Sequence, residues 1–279
     1  MKKNSKLKAL LFVLPSFAVM LMVIIVPIIN SAVLSLYNEK ENKYDFSNYI
    51  SILTDKNQIN NVKYTLYIVI ITVVLCICIS LLLAIYLRFS KSKIAALIEK
   101  IYIIPKFIPG IVAVYALMLI IKDVGAINRF LLMFGIDFKP GLMFTPNGII
   151  IVNLWFNIPF ATMLILSDLT KISPSIIESA RDVGANKLRI LMEIILPLTY
   201  RSLLIAATFV FMGNIGEFTT PYLMGTNAPR MLGVALQQEF NVFTNYPRAA
   251  AMSVMMFILS AVVGFFYISS MMKEDKWVS

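Results

Sequence analysis
The chain has no histidine, so imidazole-based proton relays, hydrolytic triads and histidine metal sites are excluded. Cysteine is nearly absent. Cys76 and Cys78 are the two present, and at that spacing on a helix they point about 200° apart and cannot easily pair. They read as small apolar fillers. Charge is scarce as well, at 14% of 279 residues, where soluble domains carry roughly a quarter. So few charges cannot cover the surface of a soluble domain this long. No cluster of catalytic groups is visible, which argues against a membrane enzyme. No linker, low-complexity tract, internal repeat or second domain is apparent, and nothing resembles the inverted halves of many secondary transporters.

What is present is apolar sequence in long blocks. Hydrophobic residues make up 59% of the chain. No charged residue occurs from Ala9 to Asn38, Tyr64 to Leu87, Pro140 to Ser167 or Ala249 to Met272. Each block exceeds the ~20 residues that cross a bilayer core. Two further candidates are interrupted, Ile101–Ile121 by Lys106 and Arg201–Leu223 by Glu217. The expectation is an all-α integral membrane protein, one domain over 1–279, with spans near 9–37, 64–87, 101–121, 146–167, 201–223 and 249–272. The first block follows Lys2, Lys3, Lys6 and Lys8 as a secretory signal would. Its apolar run is about twice a signal's length and no clean cleavage site follows, so it reads as an uncleaved span.

The net charge of +10 reads as topology, not as affinity for nucleic acid. The N-terminus, the 88–100 loop, the 168–202 loop and the tail together hold fifteen Lys and Arg, against nine in the other three loops. Basic residues collect in cytoplasmic loops, which puts both termini in the cytoplasm.

The 168–202 loop is the longest on that side, and it reads as ordered. Ser173-Pro174-Ser175 starts a helix, with Ser175 and Glu178 spaced as a capping box. Ile176, Ile177, Ala180 and Val183 are expected along one face, with Glu178, Arg181 and Asp182 on the other. Gly184 ends that helix, and Asn186 caps a second one over Lys187–Ile195, leading to Pro197. Such a loop presents a small rigid knob to the cytoplasm, suited to passing force between a soluble motor and a membrane helix.

Glu178-Ser179-Ala180, Gly184 and Ile194-x-Leu196-Pro197 resemble the EAA motif, E-A-A-x3-G-x9-I-x-L-P, of binding-protein-dependent ABC importer permeases. Ser179 is the one departure. Leu10–Tyr37, with Pro15 and Pro27, resembles the first helix of these permeases. The resemblance covers essentially the whole chain and implies the type I importer fold: six transmembrane helices with a cytoplasmic coupling helix between the fourth and fifth. It implies that Glu178, Ser179, Ala180, Arg181, Asp182 and Gly184 couple to a separate ATP-binding cassette subunit. It also implies a second, homologous permease, an extracellular substrate-binding protein and a place in the bacterial plasma membrane. The chain has no G-x4-G-K-[ST] loop to cradle phosphates. ATP and Mg2+ are therefore expected on the partner ATPase, and no catalytic group, cofactor or metal on this chain.

Cargo rests on fewer residues. Glu217 is the one carboxylate expected deep in a span, where a charge costs roughly 2.5–3.5 kcal/mol and faces the bundle interior or water. It reads either as a substrate contact or as a helix–helix pair with a residue such as Lys106. Gly216–Gly225, and Leu232-Gly233 through Gln237-Gln238, Phe240, Tyr246-Pro247 and Ala250-Ala251, resemble the polyamine branch of the family. A Gly-Glu-Phe triplet also occurs in oxyanion permeases, so a sugar, phosphonate, iron or another anion stays open as cargo. Trp155, Phe156, Phe160, Phe218 and Tyr222 are candidates to line a cation path with Glu217; packing against neighbours is the competing reading. A channel or secondary transporter remains the alternative class.

Overall fold
The computed structural model describes residues 12–274, with side chains to residue 270. Lys2, Lys3, Lys6, Lys8 and Lys276, counted above as orienting charges, and residues 9–11 of the first expected span lie outside the described residues. Twelve helices follow in chain order among these: α1 Phe12–Ser35, α2 Ser47–Thr54, α3 Lys56–Phe89, α4 Lys93–Ile101, α5 Gly110–Ile121, α6 Ala126–Leu132, α7 Pro146–Leu169, α8 Pro174–Asp182, α9 Lys187–Ile215, α10 Thr219–Met224, α11 Leu232–Asn241 and α12 Tyr246–Glu274. A hairpin of β1 Tyr37–Asn38 and β2 Lys43–Tyr44 pairs Tyr37 with Tyr44. Six helical stretches are long and apolar enough to cross a membrane: α1, α3, Gly110–Leu132, α7, α9 and Tyr246–Ser270. Helices satisfy their own backbone polar groups, which lipid cannot do.

Two of the six differ from the sequence reading. The third begins at Gly110, not Ile101. Pro105 sits in a 3-10 turn at Ile104–Phe107 and Pro109 precedes the helix; two prolines without N–H groups keep the ladder from running through. The fifth starts at Lys187 and runs unbroken to Ile215, so the loop's second helix and the span are one element. A wide π turn, Leu191–Ile195, comes two residues before Pro197. In α1 another π turn, Leu21–Ile25, comes two residues before Pro27. In each case a proline removes one donor, and the widened turn lets the helix continue past it.

The chain forms two compact units. The first joins residues up to Ile59 with Ala235–Ile258. In it the Ser35 hydroxyl meets the Tyr49 hydroxyl at 2.6 Å, and Asn48 Nδ2 donates to the carbonyls of Ser35 and Tyr37. The second joins Asn60–Val234 with Leu259 onward. Its core has one apolar cluster around Ile68, Val114, Ile149, Val152 and Met231, and another around Ala84, Ile165, Leu169, Ile172, Ile177, Ile190 and Ile195. Cys76 is buried and Cys78 exposed, both as free thiols, as their opposed directions required.

Candidate functional site
The 168–202 loop is built as a helix pinned to the bundle. Ser173 is the N-cap of α8 and Pro174 its first residue. The expected box between Ser175 and Glu178 does not form; the Ser175 hydroxyl meets that of Ser173 at 2.7 Å, because the helix begins two residues earlier. Ile177 is buried and packs with Ala180 on the Ile165–Ile195 cluster. Ile176 and Val183 do not join them: they are 46% and 85% exposed. At 100° per residue, turning Ile177 and Ala180 inward leaves Ile176, Ser179 and Val183 as an outward stripe. Glu178, Arg181 and Asp182 are exposed beside it.

Gly184 adopts φ +85°. The Gly184 N–H donates to the Arg181 carbonyl and the Ala185 N–H to Ala180, both at 2.9 Å, a Schellman ending that requires left-handed backbone. Asn186 Oδ1 then accepts the Arg189 N–H at 2.8 Å and caps α9. Arg88, at the end of α3, donates Nε to the Leu169 carbonyl at 3.1 Å and Nη2 to that of Ile172 at 2.9 Å. The Leu169 carbonyl at the end of α7 and the Ile172 carbonyl in the turn beyond it are thereby held by α3.

The second feature is a cavity of about 230 Å³ lined by residues of α5, α7, α9 and α10. Glu217 lies in the break after α9, not within it, and lines this cavity with Asn153, Phe156, Asn157, Asn214 and Thr220. Its Oε1 accepts the Thr220 N–H at 2.8 Å and so serves the start of α10. Its Oε2 is buried without a partner, as is Asn153 Nδ2. Glu217 makes no ion pair with Lys106 among the described residues; Lys106 Nζ lies 5.5 Å over the Phe160 ring instead. Of the aromatic candidates, Phe218 and Tyr222 stack on each other at 4.8 Å, and Trp155 packs edge-on against Phe156 at 5.0 Å. Phe218, Tyr222 and Trp155 do not line the cavity; Phe156 does. Asn153 and Asn157 were missed by the sequence reading. Two asparagines four apart in a run without charges place two amides on one helix face, and that signal was available.

A third polar group belongs to the first unit. Arg248, in the first turn of α12, meets Asp55 at 2.9 Å and Glu239 at 3.5 Å, and Gln58 Nε2 donates to Glu239 at 3.3 Å. The Asn57 backbone N–H, and then Arg248, hold the Asp55 carboxyl below its ordinary value. Burial pushes Glu239 above its own, against the pull of Arg248. No group of three or more Cys, Asp or Glu that could hold a metal occurs among the described residues.

Residues 77–270 match the family of binding-protein-dependent transport system inner membrane components. The chain is 27% identical over 221 residues to the spermidine/putrescine transport system permease protein PotB of Escherichia coli, covering 79% of this chain and 80% of that one. Its fold is similar to a chain of a bacterial alginate ABC transporter solved with a pentasaccharide-bound periplasmic protein, at TM-score 0.78 and 20% identity, covering 95% and 93%. It is also similar to a chain of the MetNI methionine ABC transporter, at TM-score 0.56 and 19% identity, covering 76% and 93%. With six apolar helices, a motif-bearing loop before the fifth and a family match over most of its length, the chain belongs to the binding-protein-dependent inner membrane permeases of ABC importers.

Proposed function
We propose that this chain forms half of the translocation pore of an ATP-driven polyamine importer and takes its power stroke through α8. The whole chain acts as one permease domain, with both termini and the 168–202 loop in the cytoplasm. Glu178, Ser179, Ala180, Arg181, Asp182 and Gly184 form the knob that meets the ATPase, joined by the outward Ile176 and Val183. A second permease completes the pore, and an extracellular binding protein delivers cargo. ATP and Mg2+ belong to the ATPase. The observation that carries the coupling role is mechanical: α8 buries Ile177 in the bundle, while its other face stays exposed. Motion of the knob then reaches the membrane helices without loss in a soft loop.

The spermidine/putrescine cargo is supported by the relatives of that name and by the residues at 216–225 and 232–251. A dehydrated polyamine needs compensating charge along its route, and Glu217 supplies one. Radiolabelled spermidine uptake, compared between a strain lacking this permease and its complement, tests the cargo. Unchanged uptake with no redundant importer removes the cargo assignment; copurification with an ATPase tests the importer role separately.

A further inference from the structure
We infer that the cavity beside Glu217 is a binding site for a primary ammonium group, such as one end of an alkyl diamine. This rests on the polyamine reading above and gives it a location on this chain. Three side chains that carry acceptor oxygens line it, Asn157, Asn214 and Glu217. Asn157 Nδ2 donates to the Asn153 carbonyl at 2.7 Å, and Asn214 Nδ2 to the Val210 carbonyl at 2.6 Å. Each amide thus spends a donor on its own helix and keeps its oxygen to offer. Glu217 spends Oε1 on the Thr220 N–H and keeps a buried, unpartnered Oε2. An ammonium group has three N–H donors and no acceptor, so two amide oxygens and a carboxylate oxygen match it in number and kind.

Charge decides between guests of similar size. A neutral molecule would leave the enclosed carboxylate oxygen without a compensating charge, whereas a cation supplies it and donates to it at once. The Phe156 ring adds a face to which a cation is attracted. A water-sized group occupies about 30 Å³, so about 230 Å³ has room for one alkyl diamine. Asn153 contributes the opposite chemistry, an unpartnered Nδ2 donor. A hydroxylated neutral ligand would use that donor, and an ammonium would not.

The test uses the importer purified in detergent by a tag on this chain, without added binding protein, titrated calorimetrically with putrescine. Wild type should bind. Glu217→Gln should weaken binding by about tenfold to a hundredfold, the range for a hydrogen bond to a charged group. Asn157→Leu should weaken it by about three- to tenfold. If Glu217→Gln does not assemble, Asn157→Leu carries the comparison. Spermidine uptake by wild-type cells, with putrescine binding absent or indifferent to these substitutions, overturns the site and leaves the cargo reading standing. Absence of polyamine uptake in wild type overturns both. Binding of maltose in place of putrescine, lost on Asn153→Leu, overturns the ammonium class.

Discussion

A side chain on Gly233 would put its Cβ 2.5 Å from the carbonyl oxygen of Glu217 and 2.9 Å from that of Gly216. The second residue of α11 therefore presses against the backbone that carries the cavity's carboxylate. Backbone cannot yield as a flexible side chain can, so Gly233→Ala should cost ~1–3 kcal/mol, the usual range for overpacking. It should also lower spermidine uptake. Gly264→Ala meets nothing within 4 Å and lies away from the cavity, so it should keep or slightly raise the midpoint and serves as the control. Thermal unfolding of the purified importer reads both, and equal midpoints would refute the close-approach argument.

Gly184 has open space around it and φ +85°. Substitution there should act through backbone strain alone, roughly 1–2 kcal/mol for an ordinary side chain. Gly184→Ala and Gly184→Asp should insert normally yet lose uptake, while Gly184→Asn, which tolerates the left-handed region better, should retain more. Full uptake by Gly184→Asp would remove the coupling role.

Val183→Asp places a charge on a residue already 85% exposed, so bundle stability should not change. If Ile176 and Val183 meet the ATPase, its copurification should fall at least as far as on charge reversal at Glu178 or Arg181. Undiminished recovery of the ATPase from Val183→Asp membranes would leave the apolar stripe without a partner.

Arg248 is the cation facing both Asp55 and Glu239. Arg248→Ala strands Glu239, which is 4% exposed. Breaking a fully buried pair costs roughly 3–5 kcal/mol, and partial exposure of Arg248 and Asp55 reduces the expectation to ~1–3 kcal/mol. The two carboxylates should titrate in opposite senses. Glu239 is raised by burial, so its proton uptake as pH falls from neutral favours the folded chain. Asp55 is lowered, so its contribution is present above the ordinary carboxylate value and lost as pH falls through its folded value. Stability should hold or rise on mild acidification and then drop. Glu239→Gln should abolish the rise and keep the drop; melting curves across pH check this.

A cysteine at Asn186, in a chain with Cys76 and Cys78 replaced, should resist impermeant thiol reagents in intact cells and react in inverted vesicles. Labelling of intact cells would reverse the topology.

Much of this architecture was legible because lipid imposes one rule on the whole chain. Uncharged blocks gave the helices that span. The Schellman ending at Gly184 and the cap at Asn186 were legible because local hydrogen bonds need only neighbouring residues. The start of α5 and the continuity of α9 through Pro197 were not. They depend on whether a proline breaks a helix, as Pro105 and Pro109 do, or is absorbed by a π turn, as Pro197 is, and hydropathy is blind to that choice. The outward turn of Ile176 and Val183 was hidden for another reason. Four apolar residues on a short helix do not reveal which two the bundle will take. Asn153 and Asn157 were overlooked because a scan for charge passes over amides, and their meeting with Glu217 depends on α7 packing beside the end of α9.

The guanidinium of Arg88 holds the carbonyls of Leu169 and Ile172, and Ile172 lies two residues before Pro174, the first residue of α8. A push on α8 therefore has two routes into the bilayer. One follows the covalent turn at Gly184 into α9. The other passes through a single side chain, Arg88, into α3, 84 residues upstream of Ile172 in sequence. A stiff link on each side of a short helix makes it a crossbar: displaced along its length it draws two spans together in step, and rotated about one end it shears them. On the proposed coupling role, the direction of the motion delivered to α8, and not its size alone, would set which way α3 and α9 move.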